Sequence, residues 1–507
     1  MIHAGQELLG DTTREADLVV VGSGAGGGML LRDAALAGLR VIALEEGGHH
    51  TPASFTQRER DMLPRLFQDA GGRQTVDGAI TVLQGRGVGG STVHNTNLCK
   101  RAPDRVLAEW VERFGLADWH PARLAEDFAA VEALLHVSDI DPGQVNRNNE
   151  LLLRGMKQLG WRGGLLRHNR RGCIGSGFCE LGCAYDAKEN VPKVLLPEAL
   201  AHGAELWTEC RVERVLVEGG RAVGVVARAL REGRPGPALT VRARAVALAG
   251  SAVGSAALAR ASGLLDPHGL VGRNLHLHPA AAVAGLFDEP VEGYVGIPQS
   301  VECTEFIDWE PGSPRRIWIV PAFAHPVGLV ALMPGFGASH MRLARRYRYL
   351  AVLAAMLHDE SSGEVRATRA GRPELHYRLN EADRSALGRG MQACGRLLLS
   401  AGAREVMVPL TRPLVARSER ELAPLATHAY RPLDPLLSAV HPMGTLPMAA
   451  SPERGVTDGR GAWHGLKGLY VADGSLFPTS LGGPPQITIY TAGRRVARSI
   501  LEDLQHA

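Results

Sequence analysis

Several apolar runs in this chain are continuous rather than alternating, the pattern expected of strands buried on both faces of a parallel sheet. The first, Leu18-Val19-Val20-Val21, leads into Gly22-Ser23-Gly24-Ala25-Gly26-Gly27-Gly28 and then an Ala/Leu-rich stretch from Met29 to Gly38. A second run, Val41-Ile42-Ala43-Leu44, ends in Glu45. This order predicts strand, turn, helix and strand between Asp17 and Gly48. Gly22, Gly24 and Gly27 fall on the G-x-G-x-x-G spacing, where missing side chains allow a tight turn, close approach to a pyrophosphate and close helix–strand packing. The helix amino terminus points amide groups and a positive dipole end at the phosphates. Glu45, at the end of the second strand, is placed to accept hydrogen bonds from an adenosine ribose, which favours FAD or NAD over NADP.

Further along, residues 49 to 80 are polar and broken by Thr51-Pro52 and Gly71-Gly72, and read as a loop covering a cofactor. Leu83 to Asn97 holds a second glycine cluster followed by Ser91, Thr92, His94 and Asn95, as expected of backbone lying against a flat ligand. Arg105 to Val137 has helical spacing in Leu107, Trp110, Val111 and Phe114. From Glu198 to Ala249 the pattern turns to strands, and Ala245-Val246-Ala247-Leu248-Ala249 ends at Gly250-Ser251, a strand-to-helix junction with Ser251 as a cap. Leu469-Tyr470-Val471-Ala472, then Asp473-Gly474-Ser475, then a helix from Ile487 to Ile500 return to the amino-terminal pattern. A nucleotide-binding domain assembled from both chain ends follows. The expected division is 1–280 for the main part of that domain, 281–435 for a less regular substrate-binding domain, and 436–507 for the carboxyl-terminal return.

The 507 residues suffice for a large core in more than one domain. A net charge of only +3 gives no reason to expect nucleic acid or an acidic membrane as a partner. No apolar run reaches the length of a membrane span, Ala351 to Leu357 being far too short, and Met1 to Ala16 lacks the pattern of a secretory signal. The expected location is cytoplasmic, with cysteines kept reduced.

The ordered motifs resemble the glucose–methanol–choline (GMC) oxidoreductases over nearly the whole chain. They are Gly22-x-Gly24-x-x-Gly27 with Glu45-Glu46-Gly47-Gly48, Gly85-Arg86-Gly87-Val88-Gly89-Gly90-Ser91-Thr92, and Ala249-Gly250-Ser251-Ala252-Val253-Gly254-Ser255. Val271-Gly272-Arg273-Asn274-Leu275 with His278, His441-Pro442-Met443-Gly444-Thr445, and Val471-Ala472-Asp473-Gly474-Ser475-Leu476-Phe477-Pro478 complete the set. The resemblance implies an α/β fold: a Rossmann-like FAD-binding domain, similar to that of p-hydroxybenzoate hydroxylase, with a discontinuous α+β substrate-binding domain. It implies FAD as cofactor and oxidation of an alcohol, with oxygen or an electron-acceptor protein or quinone receiving the electrons. Glu45 would then bind the adenosine ribose, Val212 would meet adenine through its backbone, and Asp473 with Gly474 would hold the ribityl or pyrophosphate region. Gly89, Gly90 and Asn95 would lie along the flavin. His94 falls where some members attach the flavin covalently, with a packing or hydrogen-bonding histidine as the alternative.

By the same resemblance His441 stands over the reactive face of the flavin. Imidazole suits a general base that takes the hydroxyl proton as hydride leaves carbon for flavin N5. The chain departs from the family at Pro484 and Pro485, where a second His or Asn is usual, which leaves Gln486 as a candidate contact to flavin or substrate. That departure keeps open a non-redox reading, a flavoprotein lyase or photodecarboxylase on the same fold.

Arg170 to Ala187 carries Cys173, Cys179 and Cys183 among glycines, a C-x5-C-x3-C spacing. Sulfur ligands on such a loop suit an iron–sulfur or zinc centre. The spacing is similar to the loop that holds a [3Fe–4S] cluster in FAD-dependent sugar dehydrogenases of the family. A zinc site would need a fourth ligand such as His168, and free thiols are the remaining alternative.

Overall fold

The computed structural model describes residues 1–506 apart from 323–324 and 369–370. The continuous apolar runs become the buried layer of an eight-stranded sheet. Thr12–Val21 pairs in parallel with Val41–Leu44 on one side and with the long strand Arg234–Leu248 on the other. Leu469–Val471 adds in parallel to the far end of Arg234–Leu248, so both chain ends meet in one sheet. Cys210–Glu218 and Arg221–Arg231 extend the sheet as an antiparallel meander. Leu18, Val19, Val20, Val246, Ala247 and Leu469 are wholly buried, as double-sided burial requires.

Two helices cover this layer at close range. Ala25–Leu36 packs against the carboxyl-terminal helix Gln486–Gln505. A Cβ on Gly26 would lie 1.6 Å from the Ala472 carbonyl oxygen, and one on Gly493 would lie 2.5 Å from the Gly26 carbonyl oxygen. Glycine here sets the spacing between chain ends. Gly26→Ala must therefore push the first helix off the Ala472 strand end, and we expect about 1–3 kcal/mol lower stability together with weaker flavin retention. Thermal unfolding and the flavin-to-protein absorbance ratio check both effects.

The second sheet has nine strands and brings in distant segments. Ala280–Leu286, Leu350–Leu357 and Ile317–Pro321 form its antiparallel centre. Ile80–Val82 joins through Leu437–Ala439, and Gly163–Leu165 through Val301–Cys303. The helix Glu381–Ser400 lies on this sheet beside Arg147–Leu159. Region 281–435, irregular to the eye in sequence, thus supplies most of a regular sheet and a 20-residue helix.

Local expectations shift in three places. The helix expected over 105–137 is two, Asp104–Phe114 and Pro121–Leu134, because Gly115 caps the first in the left-handed region and Pro121 starts the second. The loop expected over 49–80 contains a helix at Glu59–Leu66. Ser251 begins the helix Ser251–Ala261 but makes no side-chain cap there. No helix among the described residues is long and apolar enough to cross a membrane.

Candidate active site

The two glycine clusters face one another. Gly24 stands at the amino terminus of Ala25–Leu36 with nothing within 4 Å of where its Cβ would be, and a Cβ on Gly90 would come 3.2 Å from the Gly24 Cα. Both facing positions are bare of side chains, and the first amides of the helix open toward solvent or ligand, a cradle suited to a pyrophosphate. Glu45 is buried and its carboxylate ties the clusters together. One oxygen accepts from the Gly47 and Gly87 amides at 2.9 and 3.1 Å, and the other from the Ser23 amide and hydroxyl at 3.2 and 2.7 Å. Burial raises its pKa against these donors. Cys210 donates its amide to the Glu45 carbonyl oxygen at 2.8 Å, which brings the edge strand carrying Val212 to the same end of the sheet.

Asp473 lies at the carboxyl end of Leu469–Val471, buried, accepting from the Ser255 hydroxyl at 2.6 Å and from the Ser475 amide at 2.8 Å. Asn95 donates to the Gln486 side-chain oxygen at 2.9 Å, so the residue after Pro484-Pro485 is tied to the second glycine loop. The Lys188 ammonium, buried, donates to the Asn95 carbonyl oxygen and, at 3.0 Å, to that of Cys179. His94 packs on Phe67 with ring centroids 4.0 Å apart, and its Nε2 is buried without a hydrogen-bond partner. Burial pushes His94 down to about 3, which keeps the ring neutral.

The bare cradle, the two buried carboxylates and the unpartnered His94 nitrogen suit a bound dinucleotide with a flat ring system. These residues fit FAD.

His441 meets a residue 163 positions away. Its Nδ1 lies 3.2 Å from Nδ1 of His278, the rings nearly perpendicular. The Gly482 amide donates to His278 Nε2 at 3.0 Å. That bond requires a lone pair on Nε2, so a neutral His278 carries its hydrogen on Nδ1 and donates it to His441 Nδ1. A neutral His441 then carries its own hydrogen on Nε2. Burial pushes His441 down to about 4, and burial also holds His278 well below the usual histidine range, so both rings are neutral at pH 7.

Behind this pair is a buried carboxylate from another segment of the chain. Asp359 is 2% exposed. It accepts from the Leu277 and His278 amides at 3.0 and 3.3 Å, the Tyr377 hydroxyl at 2.6 Å and the Ser480 hydroxyl at 2.7 Å. Burial alone would raise its pKa, but His276, His278 and Tyr377 hold it below the ordinary carboxylate range. Asp359 joins the His278 segment to the Ser480–Gly482 segment, which fixes His278 between Gly482 and His441. His358 sits beside the same loop, its Nε2 3.1 Å from the Ser480 carbonyl oxygen. Histidines from two other segments thus surround the loop where Pro484 and Pro485 depart from the usual pattern.

The cysteine loop is closed by a bridge between Arg170 and Lys188. Cys173, Cys179, Cys183 and both cations line one small hollow. All three cysteines are free thiols, and no group of three His, Cys, Asp or Glu side chains among the described residues is arranged to hold a metal. Cys173 Sγ instead accepts from the Gly175 amide at 3.5 Å and Cys183 Sγ from the Ala187 amide at 3.3 Å. The structure lends no support to the iron–sulfur or zinc expectation. His168, the suggested zinc ligand, is buried with neither ring nitrogen hydrogen-bonded.

Comparison with known proteins bears on the family and the fold. Models of the family described as GMC oxidoreductase match residues 63–280 and 359–493. An uncharacterised GMC-type oxidoreductase of Mycobacterium tuberculosis is 37% identical over 486 residues, covering 95% of this chain and 75% of that one. A long-chain-alcohol oxidase of Arabidopsis thaliana is 28% identical over 549 residues, covering 100% of this chain and 72% of that one. Among solved structures, pyridoxine 4-oxidase from Mesorbium loti superimposes with a TM-score of 0.71 at 18% identity, over 95% of this chain and 98% of that one. Formate oxidase of Aspergillus oryzae does so with a TM-score of 0.72 at 16% identity, over 97% and 99%. Both establish likeness of fold.

Proposed function

This chain belongs to the GMC oxidoreductase family and is an FAD-dependent oxidoreductase, and we propose that it oxidises an alcohol to the aldehyde or ketone with His441 at the alcohol oxygen. The observation that carries this reading is the placement of His441, neutral and held by a buried partner, with Nε2 left for a substrate. FAD, when bound, supplies the hydride-accepting ring; the chain supplies binding, orientation and proton handling. Gly22, Gly24, Gly27, Glu45, Val212, Asp473 and Gly474 would hold the dinucleotide, and Gly89, Gly90, His94, Asn95 and Gln486 the flavin end. Long-chain alcohols are the first substrates to test, because several relatives are named for them.

Two roles for His441 lead to different chemistry. As a general base it takes the hydroxyl proton on Nε2, which must then offer a lone pair. The donor chain from Gly482 through His278 instead leaves hydrogen on Nε2, and favours a second role in which His441 donates to the oxygen and stabilises its developing negative charge. The test of function is anaerobic mixing of the FAD-loaded protein with primary alcohols of increasing chain length. The expected result is bleaching of the oxidised flavin absorbance, most readily with long chains. Alcohol turnover or ligand binding that leaves the flavin oxidised throughout would sink this reading in favour of a lyase.

A further inference from the structure

One group of exposed apolar side chains shares a single projecting segment. Two short helices, Pro326–Leu332 and Ala338–Ala344, are joined by a turn that presents Phe336, 94% exposed. Val327, Leu332 and Met341 lie on the same segment at 63, 41 and 52% exposure. The other side of the segment is anchored: Leu329, Val330, Leu343 and Ala344 pack around Leu286, Met333, Leu350 and Met407. The fold therefore holds this apolar tip out from the body instead of turning it inward.

Charge narrows what can cover it. From His325 to Leu350 the chain has no Asp or Glu, and it carries Arg342, Arg345, Arg346 and Arg348. Arg348 pairs with Glu292 at 2.7 Å, while Arg342 and Arg345 are exposed. Glu59 is engaged by the Val327 and Gly328 amides at 2.9 and 3.0 Å. A second copy docking on this face through a two-fold axis would bring two arginine groups together and be repelled. Apolar side chains backed by arginines match instead the boundary between anionic headgroups and acyl chains.

We propose that the 326–348 tip docks on an anionic lipid surface, with Phe336, Val327, Leu332 and Met341 entering the headgroup–acyl boundary and Arg342 and Arg345 meeting the headgroups. This does not depend on which alcohol is oxidised. The test is flotation of the FAD-loaded protein with phosphatidylcholine vesicles, with and without phosphatidylglycerol, at low and high salt. The protein should float with the anionic vesicles and much less with neutral ones, and high salt should release it. Phe336→Ser with Val327→Ser, and separately Arg342→Glu with Arg345→Glu, should each lower the bound fraction roughly tenfold or more, leaving the flavin spectrum and turnover of a water-soluble alcohol unchanged. Absence of flotation, equal flotation with neutral vesicles, or a dimer in solution that Phe336→Ser dissolves would each overturn the proposal.

Discussion

Replacing His441 with Ala should slow anaerobic flavin reduction by alcohol on the order of a hundredfold to ten-thousandfold, the range expected when a proton-handling group is removed from a reacting oxygen. FAD content should stay near wild type, since no cofactor-cradle contact involves His441. His441→Gln separates the two roles. Its amide can donate a hydrogen bond but is no base, so recovery to within about tenfold of wild type supports the donor role. A loss equal to that of the Ala variant supports the base. The pH profile adds a second check. His441 sits at about 4, below the ordinary histidine value, so it stays neutral from pH 7 down to about 5. The acid limb of kcat/KM assigned to it should fall near pH 4 rather than near 6.5. Folding follows the same sign: the unfolded chain takes up protons here first, so this residue's contribution to stability weakens as pH falls from about 6.5 toward 4.

Asp359→Ala should be the most damaging single change to stability near the site, at about 3–5 kcal/mol. It leaves the Leu277 and His278 amides and the Tyr377 and Ser480 hydroxyls with no acceptor in a buried place. A variant so impaired could fail to fold, so Asp359→Asn is the informative companion. It keeps size and one acceptor oxygen but turns an NH2 toward the remaining donors. If Asp359 fixes His278 against His441, the Asp359→Asn variant that retains FAD should lose flavin-reduction rate and show a displaced acid limb. An unchanged rate and profile would mean the network only supports the fold. The carboxylate is held below its ordinary range, so its stabilising contribution is present at neutral pH and fades as pH drops through that range. Thermal unfolding across pH, compared between wild type and Asp359→Asn, reads that contribution directly.

The nucleotide unit was legible from the sequence because its determinants are contiguous. Buried parallel strands read as unbroken apolar runs, and the tight places between strand and helix read as glycine. Leu18 to Val21, Gly22 and Val41 to Leu44 form the elements their pattern predicts. Region 281–435 was opaque because its strands are short and its core face is completed by Ile80–Val82 and Gly163–Leu165 from far upstream. Periodicity within a segment carries no information about which distant strand will cover it.

The same division holds at the site. His441 stands out through its local setting, but its partner His278, the buried Asp359 and the Gly482 amide come from separate segments. Cysteine spacing suggested a ligand set, yet spacing fixes only how far a loop can reach, and no metal-holding group of side chains is found among the described residues. Sequence alone determined the glycine-lined strand, turn and helix, the family and a candidate catalytic histidine, since backbone geometry and glycine placement are local properties. Tertiary structure decided which nitrogen of that histidine holds its hydrogen, what anchors its partner and where the apolar tip points, because each depends on groups that meet only when the sheets assemble.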